Sequence, residues 1–215
     1  MTLFKTLSAR LALTLFFFAA SASAQPEAPD ALVKRVSQEI LDLAKTDQQI
    51  QAGNQQRIME IVQSKIIPYV NFQRMTAMAS GRYWREATPE QQAALISEFR
   101  TLLVFTYSGA ITQIRNQKLD FKPLRADPGD TEVEVRTSVI QPRGEAMQLN
   151  YRLEKTANGW KIYDVNILGV WLVETYKGSF ASEISKSGID GLIKALSDRN
   201  RRLTAVPPKP PAGKS

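Results

Sequence analysis

The sequence of 215 residues contains neither cysteine nor histidine. Without cysteine no disulfide can stabilise the fold, so the hydrophobic core must do so. The same absences argue against zinc, haem and iron–sulfur sites, and against the nucleophile–base pairs of most hydrolases. The glycines stand singly at turns, so the chain has no glycine-rich phosphate-binding loop. We therefore expect a protein that is not an enzyme and that has no cofactor and no metal site.

One apolar run stands out, but it is too short to span a membrane. It covers residues 11–20 and follows two basic residues, whereas a membrane span needs about 20 apolar residues. Ala22 and Ala24 form a small-residue cleavage pattern. We predict that residues 1–24 are a signal peptide, cleaved after Ala24, and that the protein is exported. The alternative is an uncleaved membrane anchor.

The charge of the chain is modestly basic. The formal net charge is +7, and without the two basic residues of the predicted signal peptide it is +5. The basic residues are scattered rather than clustered with aromatic residues, so nucleic acid is not an expected partner. A hydrophobic fraction of 43% suffices for one folded domain, which we place at residues 25–203. The proline-rich end, residues 204–215, is predicted to be a disordered tail.

The first half of the chain combines helical periodicity with helix-start signals. Asp30 is predicted to cap a helix that runs to about Thr46, and Asn54 is predicted to cap a later helix. Thr88 begins the sequence Thr-Pro-Glu-Gln, which is typical of a capping box with proline in the first turn. The helix that follows is predicted to run to about Asn116.

Beyond this helix the apolar period changes to two. Residues 133–139 and 147–153 alternate apolar and polar side chains between turn sequences, as antiparallel strands with one buried face do. In the next strand the phase breaks at Tyr163 and Asp164, which indicates either a β-bulge or a strand buried on both faces. Gly169 then permits a turn into a further helix. We predict an α+β fold with an antiparallel, strongly curved sheet of about four strands, packed against several helices.

Spacing alone leaves two interpretations of the buried face. Its inward positions combine slender residues such as Val135 with long flexible ones such as Met147. They would either fill a tight core or line a cavity suited to an acyl chain. Asp164 has apolar strand residues on both sides, and it is either a buried base with a raised pKa or a hydrogen-bonding residue at the bulge.

Residues 67–111 and 159–196 contain short motifs in a fixed order. The motifs are Gly81-x-Tyr83-Trp84, Thr88-Pro89-Glu90-Gln91, Phe99-Arg100, Leu102-Leu103, Thr106-Tyr107, Tyr163-Asp164-Val165, Gly169-Val170 and Gly188-Ile189-Asp190-Gly191-Leu192. Each motif is short, but their joint order and spacing are specific and extend over nearly the whole chain after the signal peptide. In this respect the chain resembles the MlaC family of periplasmic phospholipid-binding proteins, also called toluene-tolerance proteins.

The resemblance implies a carrier that shuttles phospholipid through the periplasm and maintains the lipid asymmetry of the outer membrane. Its expected partners are an outer-membrane lipoprotein–porin complex and an inner-membrane ABC transporter with a ring of MCE domains. The resemblance also implies an NTF2-like sheet and a cavity that takes both acyl chains and leaves the head group outside. Phospholipid would be the cargo, and we expect the protein to be a monomer.

The resemblance also suggests where lipid would bind. By position, Met147 and Val170 match pocket-lining sites of the family. Leu168 and Trp171 depart from the family, since many relatives have Glu and Ser there, and both changes make the turn more apolar. We predict an apolar cavity lined by Phe99, Leu102, Leu103, Tyr107, Val133, Val135, Thr137, Val139, Met147, Leu149, Tyr151, Val165, Ile167, Val170, Leu172 and Tyr176. Such a cavity could alternatively serve a small NTF2-like enzyme with Asp164 as base, or a module that binds apolar solvents or peptides.

Overall fold

The computed structural model describes residues 27–205, which form six α-helices and six β-strands. The helices are α1 (Pro29–Thr46), α2 (Gln48–Gln51), α3 (Gln55–Ile61), α4 (Phe72–Ser80), α5 (Pro89–Tyr107) and α6 (Leu172–Ala205). The strands are β1 (Lys118–Phe121), β2 (Glu132–Val135), β3 (Thr137–Ile140), β4 (Met147–Thr156), β5 (Gly159–Ile167) and β6 (Val170–Trp171). The predicted signal peptide and the predicted tail beyond residue 205 lie outside the described residues. Thr204 and Ala205, which we predicted to begin that tail, belong to α6.

Two predicted helix caps are confirmed. The side chain of Asn54 accepts a hydrogen bond from the amide of Arg57 (3.1 Å) at the start of α3. At α5 the hydroxyl of Thr88 accepts a bond from the amide of Gln91 (3.2 Å), and the Gln91 side chain accepts one from the amide of Thr88 (3.0 Å). This reciprocal pair satisfies two amides that the first turn would otherwise leave without partners.

Two helix boundaries differ from their predictions. α1 begins at Pro29 and is not capped by Asp30, because the fixed φ of proline suits the first helical position. α5 stops well before Asn116, and the chain tightens there into a 3₁₀ segment, Ser108–Gln113. This segment contains Gly109, and glycine weakens an α-helix by about 1 kcal/mol relative to alanine. The 3₁₀ segment packs beside α1.

The strands form one open antiparallel sheet in the order β1-β3-β4-β5-β6, with β2 also beside β4. The predicted α+β class is therefore confirmed, but residues 27–205 form six strands instead of about four. The run over residues 132–140 divides into β2 and β3 at Arg136. There the amide of Thr137 donates to the side chain of Asn150 (3.1 Å), which interrupts the backbone ladder. β6 adds a two-residue strand at the edge.

A β-bulge re-phases β5, as one of the two interpretations predicted. Arg152 of β4 faces Asp164, whereas the next residue of β4, Leu153, faces Ile162. Tyr163 is thus the extra residue in the ladder. The bulge places the apolar residues before and after it on one face of the sheet, the face that also carries Leu153.

Two hydrophobic cores pack against this apolar face. The helical core lies between α4, α5 and α6, where the ring of Phe99 meets the rings of Tyr176 (4.9 Å between centroids) and Phe180 (5.0 Å) in edge-on contacts. The α1–sheet core lies between α1 and strands β2, β4 and β5. It consists of Leu32, Val33, Val36, Val133, Val135, Leu153 and Ile162. α1 therefore has its own contact with the sheet, separate from the helical core.

Arg74 on α4 joins that helix to three strands. Its guanidinium forms ion pairs with Glu154 of β4 (2.5 Å) and Glu132 of β2 (2.6 Å). It also lies 3.8 Å from the ring centroid of Tyr163, the bulge residue, whose hydroxyl donates to Glu132 (2.9 Å). The side chain of Asn71 donates to Glu154 as well (2.6 Å). This network fixes the bulge against α4.

We expect Arg74→Ala to lower the free energy of unfolding by about 2–3 kcal/mol, because it leaves the largely buried Glu154 without its cation. Arg74→Lys should recover only part of this loss, since an ammonium group cannot fork between two carboxylates while stacking on a ring. Urea unfolding of the three proteins measures both effects. If Arg74→Ala lowers the free energy of unfolding by less than about 0.5 kcal/mol, the ion pairs of Arg74 contribute no more than ordinary exposed ion pairs do.

Candidate functional site: an apolar cavity between α1 and the sheet

A cavity of about 650 Å³ lies between α1, the 3₁₀ segment after α5 and the apolar face of the sheet. It is partly open to solvent, and its volume falls within the range of about 300–1,000 Å³ that is typical of small-molecule sites. The lining residues are Leu32, Val33, Val36, Ser37, Ile40, Leu41, Ile66, Ala110, Ile111, Gln113, Ile114, Gln117, Leu119, Val139, Gln141, Met147, Leu149, Tyr151 and Ile162.

Two periodicities build the walls of this cavity. The lining positions of α1 recur at 32, 33, 36, 37, 40 and 41, which is the spacing of one helical face. On the opposite wall, Met147, Leu149 and Tyr151 are alternate residues of β4 and therefore point to the same side of the sheet. Ile111 and Ile114, in and just after the 3₁₀ segment, close a third side.

The cavity wall is apolar and uncharged. None of the lining residues in the described part of the chain carries a charge. The hydroxyl of Tyr151 lies 3.5 Å from the hydroxyl of Ser37, and burial raises the pKa of the Tyr151 phenol, which therefore stays protonated at neutral pH. Gln113 and Gln141 are exposed and add amide groups at the rim. Such a wall has no group to move a proton near neutral pH, but it can shelter a hydrocarbon chain from water.

The structure brings four of the sixteen predicted lining residues to this cavity: Val139, Met147, Leu149 and Tyr151. Five of the others are buried in the helical core, namely Phe99, Leu102, Leu103, Leu172 and Tyr176. Tyr107 and Ile167 pack against the helical core, and Val165 contacts both cores. Val133 and Val135 belong to the α1–sheet core, close to the cavity but outside its wall. Contact with lipid remains a prediction for all sixteen.

Thr137 and Val170 take other positions. Thr137 is buried, and its hydroxyl donates to the carbonyl of Leu149, so it serves the junction between β3 and β4. Val170 is 56% exposed at the edge of the sheet and does not line the cavity. The Gly169 turn therefore lies beside this cavity and does not form its wall.

The lining residues that the sequence prediction missed come mainly from α1 and the 3₁₀ segment. Leu32, Val36 and Ile40 form a regular apolar stripe, so the sequence does signal that α1 buries one face. An apolar stripe does not show which surface the helix packs against, or how closely the helix and that surface approach each other. Only the tertiary structure shows that α1 stands away from β4 along part of its length.

Asp164 lies on the opposite face of the sheet and is fully buried. Its Oδ1 atom accepts hydrogen bonds from the amides of Val165 (2.9 Å) and Val173 (3.1 Å), and so it caps the first turn of α6. Its Oδ2 atom lies 3.6 Å from the guanidinium of Arg152. Burial raises the pKa of Asp164, while the two amides and Arg152 oppose that rise. Of the two roles considered for Asp164, these contacts support hydrogen bonding at the bulge.

Within residues 27–205, no group of three or more acidic side chains is arranged to hold a metal ion. No helix in this part of the chain is long and apolar enough to cross a membrane. The fold and the site together define an α+β protein with an uncharged cavity suited to a hydrophobic ligand.

Comparison with known proteins gives the family. The model of the MlaC protein family matches residues 34–198, and the chain belongs to this family, as its motifs predicted. It is 26% identical over 187 residues to the intermembrane phospholipid transport system binding protein MlaC of Haemophilus influenzae, a match that covers 86% of this chain and 87% of the relative. It is 24% identical over 165 residues to the toluene tolerance protein ttg2D of Pseudomonas putida, which covers 76% of each.

A solved structure is also similar to this chain. It is the phospholipid-binding protein from Ralstonia solanacearum, determined in complex with a phospholipid. The two chains are 45% identical and superpose with a TM-score of 0.77, over 81% of this chain and 98% of the other.

The raised pKa of Asp164 predicts a pH dependence of stability. Folding raises the pKa above its ordinary value of 3.8, so the folded protein holds this proton more tightly than the unfolded chain does. Asp164 therefore makes the free energy of unfolding fall as the pH rises above about 4 and until the pH passes the folded pKa. Asp164→Asn keeps an oxygen acceptor for α6 and removes the charge, so its stability relative to the original protein should increase over that window.

Urea unfolding between pH 3 and pH 8 measures this difference, in which the contributions of the other carboxylates cancel. Asp164→Ala is the matched control, because it removes the cap and should be destabilised by about 1–2 kcal/mol even at acidic pH. We expect the free energy of unfolding of Asp164→Asn, minus that of the original protein, to increase as the pH rises. A difference that stays constant or decreases would contradict this account.

Proposed function

We propose that this protein binds phospholipid and transports it by sheltering the acyl chains in the cavity between α1 and the sheet. The observation that carries the proposal is the uncharged apolar wall of that cavity, in a chain 45% identical to a protein solved with a phospholipid. The names of the other relatives, a phospholipid transport binding protein and a toluene tolerance protein, support the same class of cargo.

The energetics require such a shelter. A phospholipid has on the order of 30 chain methylenes, and exposing them to water costs on the order of 20 kcal/mol at about 0.8 kcal/mol each. If a methylene needs about the volume of a water molecule, roughly 30 Å³, the cavity of 650 Å³ holds on the order of 20 methylenes. Two complete chains exceed that volume. Full loading therefore requires the cavity to widen or part of the chains to lie in its open mouth.

The setting of the transport is part of the proposal. Export by a signal peptide cleaved after Ala24 would place the protein in the periplasm. There it would carry lipid between an outer-membrane lipoprotein–porin complex and an inner-membrane ABC transporter with an MCE-domain ring, and so maintain outer-membrane lipid asymmetry. These partners follow from family resemblance. The sheltering requirement supports them in one respect, since lipid can leave the cavity only to an acceptor that covers its tails.

The proposed lipid contacts are the lining residues of the sheet together with the facing residues of α1. An enzyme with Asp164 as base is disfavoured, because Asp164 caps α6 and does not line the cavity. No step of the proposed function is chemical. The protein is proposed to act as a monomeric carrier without cofactor or metal.

Native mass spectrometry of protein purified from the periplasm of expressing cells tests the proposal. We expect a complex heavier than the polypeptide by the mass of one phospholipid, and the fragment masses of the released lipid will count its acyl chains. Protein found only at the polypeptide mass, with no phospholipid in its solvent extract, would refute the proposal.

Matched charge substitutions locate the site. Leu149→Glu places a carboxylate in the uncharged wall, so we expect lipid occupancy to fall at least tenfold, because an unpaired charge in an apolar cavity is strongly disfavoured. Ala157→Glu puts the same group in the exposed turn between β4 and β5, outside the cavity wall, and should leave occupancy unchanged. For Val170, the carry-over from the family predicts that Val170→Glu lowers occupancy. Circular dichroism verifies that the variants are folded.

A further inference from the structure

The large apolar residues that are exposed within residues 27–205 gather at one end of the sheet. Ile140 ends β3 and is 44% exposed, and Leu168 and Val170 flank the turn after β5 with 68% and 56% exposure. The amide of Leu168 donates to the carbonyl of Gln148 (3.1 Å), near the start of β4, so the turns after β3 and β5 lie at the same end. Two strand spacings of about 4.8 Å separate β3 from β5.

Basic residues lie on the Ile140 side of this apolar group. Lys118 lies opposite Ile140 in the ladder between β1 and β3, and Arg115 precedes Lys118 by three residues. Arg143 is in the turn between β3 and β4. All three are exposed, and Glu145 is the acidic residue of the same turn. The balance around Ile140 is therefore basic, and on the Val170 side the exposed Glu174 is paired with Lys177 (3.6 Å). We name Ile140, Leu168 and Val170 with these three cations the strand-end surface.

Leu168 is conformationally unusual. Its φ of 54° is the one positive value of a non-glycine residue within residues 27–205. Glycine and asparagine tolerate this left-handed region, whereas a leucine is strained in it. Because the side chain is two-thirds exposed, core packing does not offset that strain. Neither local conformation nor burial accounts for a leucine here, whereas contact with an external apolar phase would.

Part of the cavity rim lies next to the strand-end surface. Gln141 follows Ile140 directly, and Met147 begins β4 at the same end of the sheet. Gln141 and Met147 both line the cavity. Gln141 is also exposed, so it belongs to the rim. An apolar phase in contact with Ile140 and Leu168 would lie beside the opening through which a lipid enters.

We propose that the strand-end surface docks on the surface of an anionic phospholipid bilayer. Its apolar side chains enter the interface, and its cations lie at the head groups, where each is attracted by the negative surface potential. The inference rests on the proposed function, because acyl chains can pass between bilayer and cavity only where the opening meets the interface. The apolar part consists of three residues on two turns. This is far smaller than the 20–30 residues of a standard protein interface, but it is sufficient for reversible insertion into a bilayer.

Vesicle flotation tests this proposal with protein purified from the periplasm of cells that express the full sequence. We expect binding to vesicles of phosphatidylethanolamine and phosphatidylglycerol, weaker binding to vesicles of phosphatidylcholine alone, and a decrease with salt on the anionic vesicles. Leu168→Asn should weaken partition about tenfold while it preserves or raises the melting temperature, because it relieves strain as it removes the apolar contact. Arg143→Gln should weaken binding about fivefold on anionic vesicles only.

The matched control is Lys155→Gln, which removes an exposed cation at the opposite end of β4 and should bind like the original protein. The docking proposal is overturned if the original protein fails to float with anionic vesicles, or if Leu168→Asn floats equally well. Phospholipid extracted from the same samples separates the two proposals. Protein that carries lipid but does not float contradicts the docking surface alone, whereas protein without lipid contradicts the proposed function.

Discussion

The incomplete contact between α1 and the sheet is the constraint on which the site depends. Near the start of α1, Leu32 and Val33 pack with Leu153 and Ile162 in the α1–sheet core, and Leu32, Val33 and Ile162 also line the cavity. Further along, Ile40 and Leu41 line the cavity together with Met147 and Leu149. The same helical stripe therefore borders the cavity along its length and packs in the α1–sheet core only near its start. The 3₁₀ segment after α5 supplies the remaining wall.

A space of this size is costly unless something fills it. In lysozyme mutants, apolar cavities cost about 24 cal/mol per Å³, so an empty and dry cavity of 650 Å³ would cost on the order of 15 kcal/mol, as much as the whole stability of a typical domain. The protein is therefore expected to fill the cavity with ligand or admit water through its open side. The Phe99, Tyr176 and Phe180 cluster of the helical core and the Arg74 network lie outside the wall of this space.

Much of the fold follows from local sequence rules. The Asn54 and Thr88 caps, the antiparallel strands and the phase break at Tyr163 each have a short-range cause, and each could be predicted. The apolar positions were also predicted as buried, but their division among three separate cores was not. The helical period of Phe99 and Tyr176 and the strand period of Leu149 both predict a buried side chain, yet Phe99 and Tyr176 pack tightly while Leu149 lines a cavity. Periodicity identifies a buried face, whereas the distance between two faces is set by tertiary packing.

The proposed position of the acyl chains is between α1 and the sheet, and not among the helices of the helical core. Photo-cross-linking with p-azidophenylalanine tests it most directly, because two tyrosines of nearly the same size as this residue occupy the two places: Tyr151 in the cavity and Tyr176 in the helical core. Illumination of periplasmic protein, followed by intact-mass spectrometry, should show a phospholipid adduct on the protein substituted at Tyr151 and none on the one substituted at Tyr176. An adduct at Tyr176 without one at Tyr151 would contradict the account.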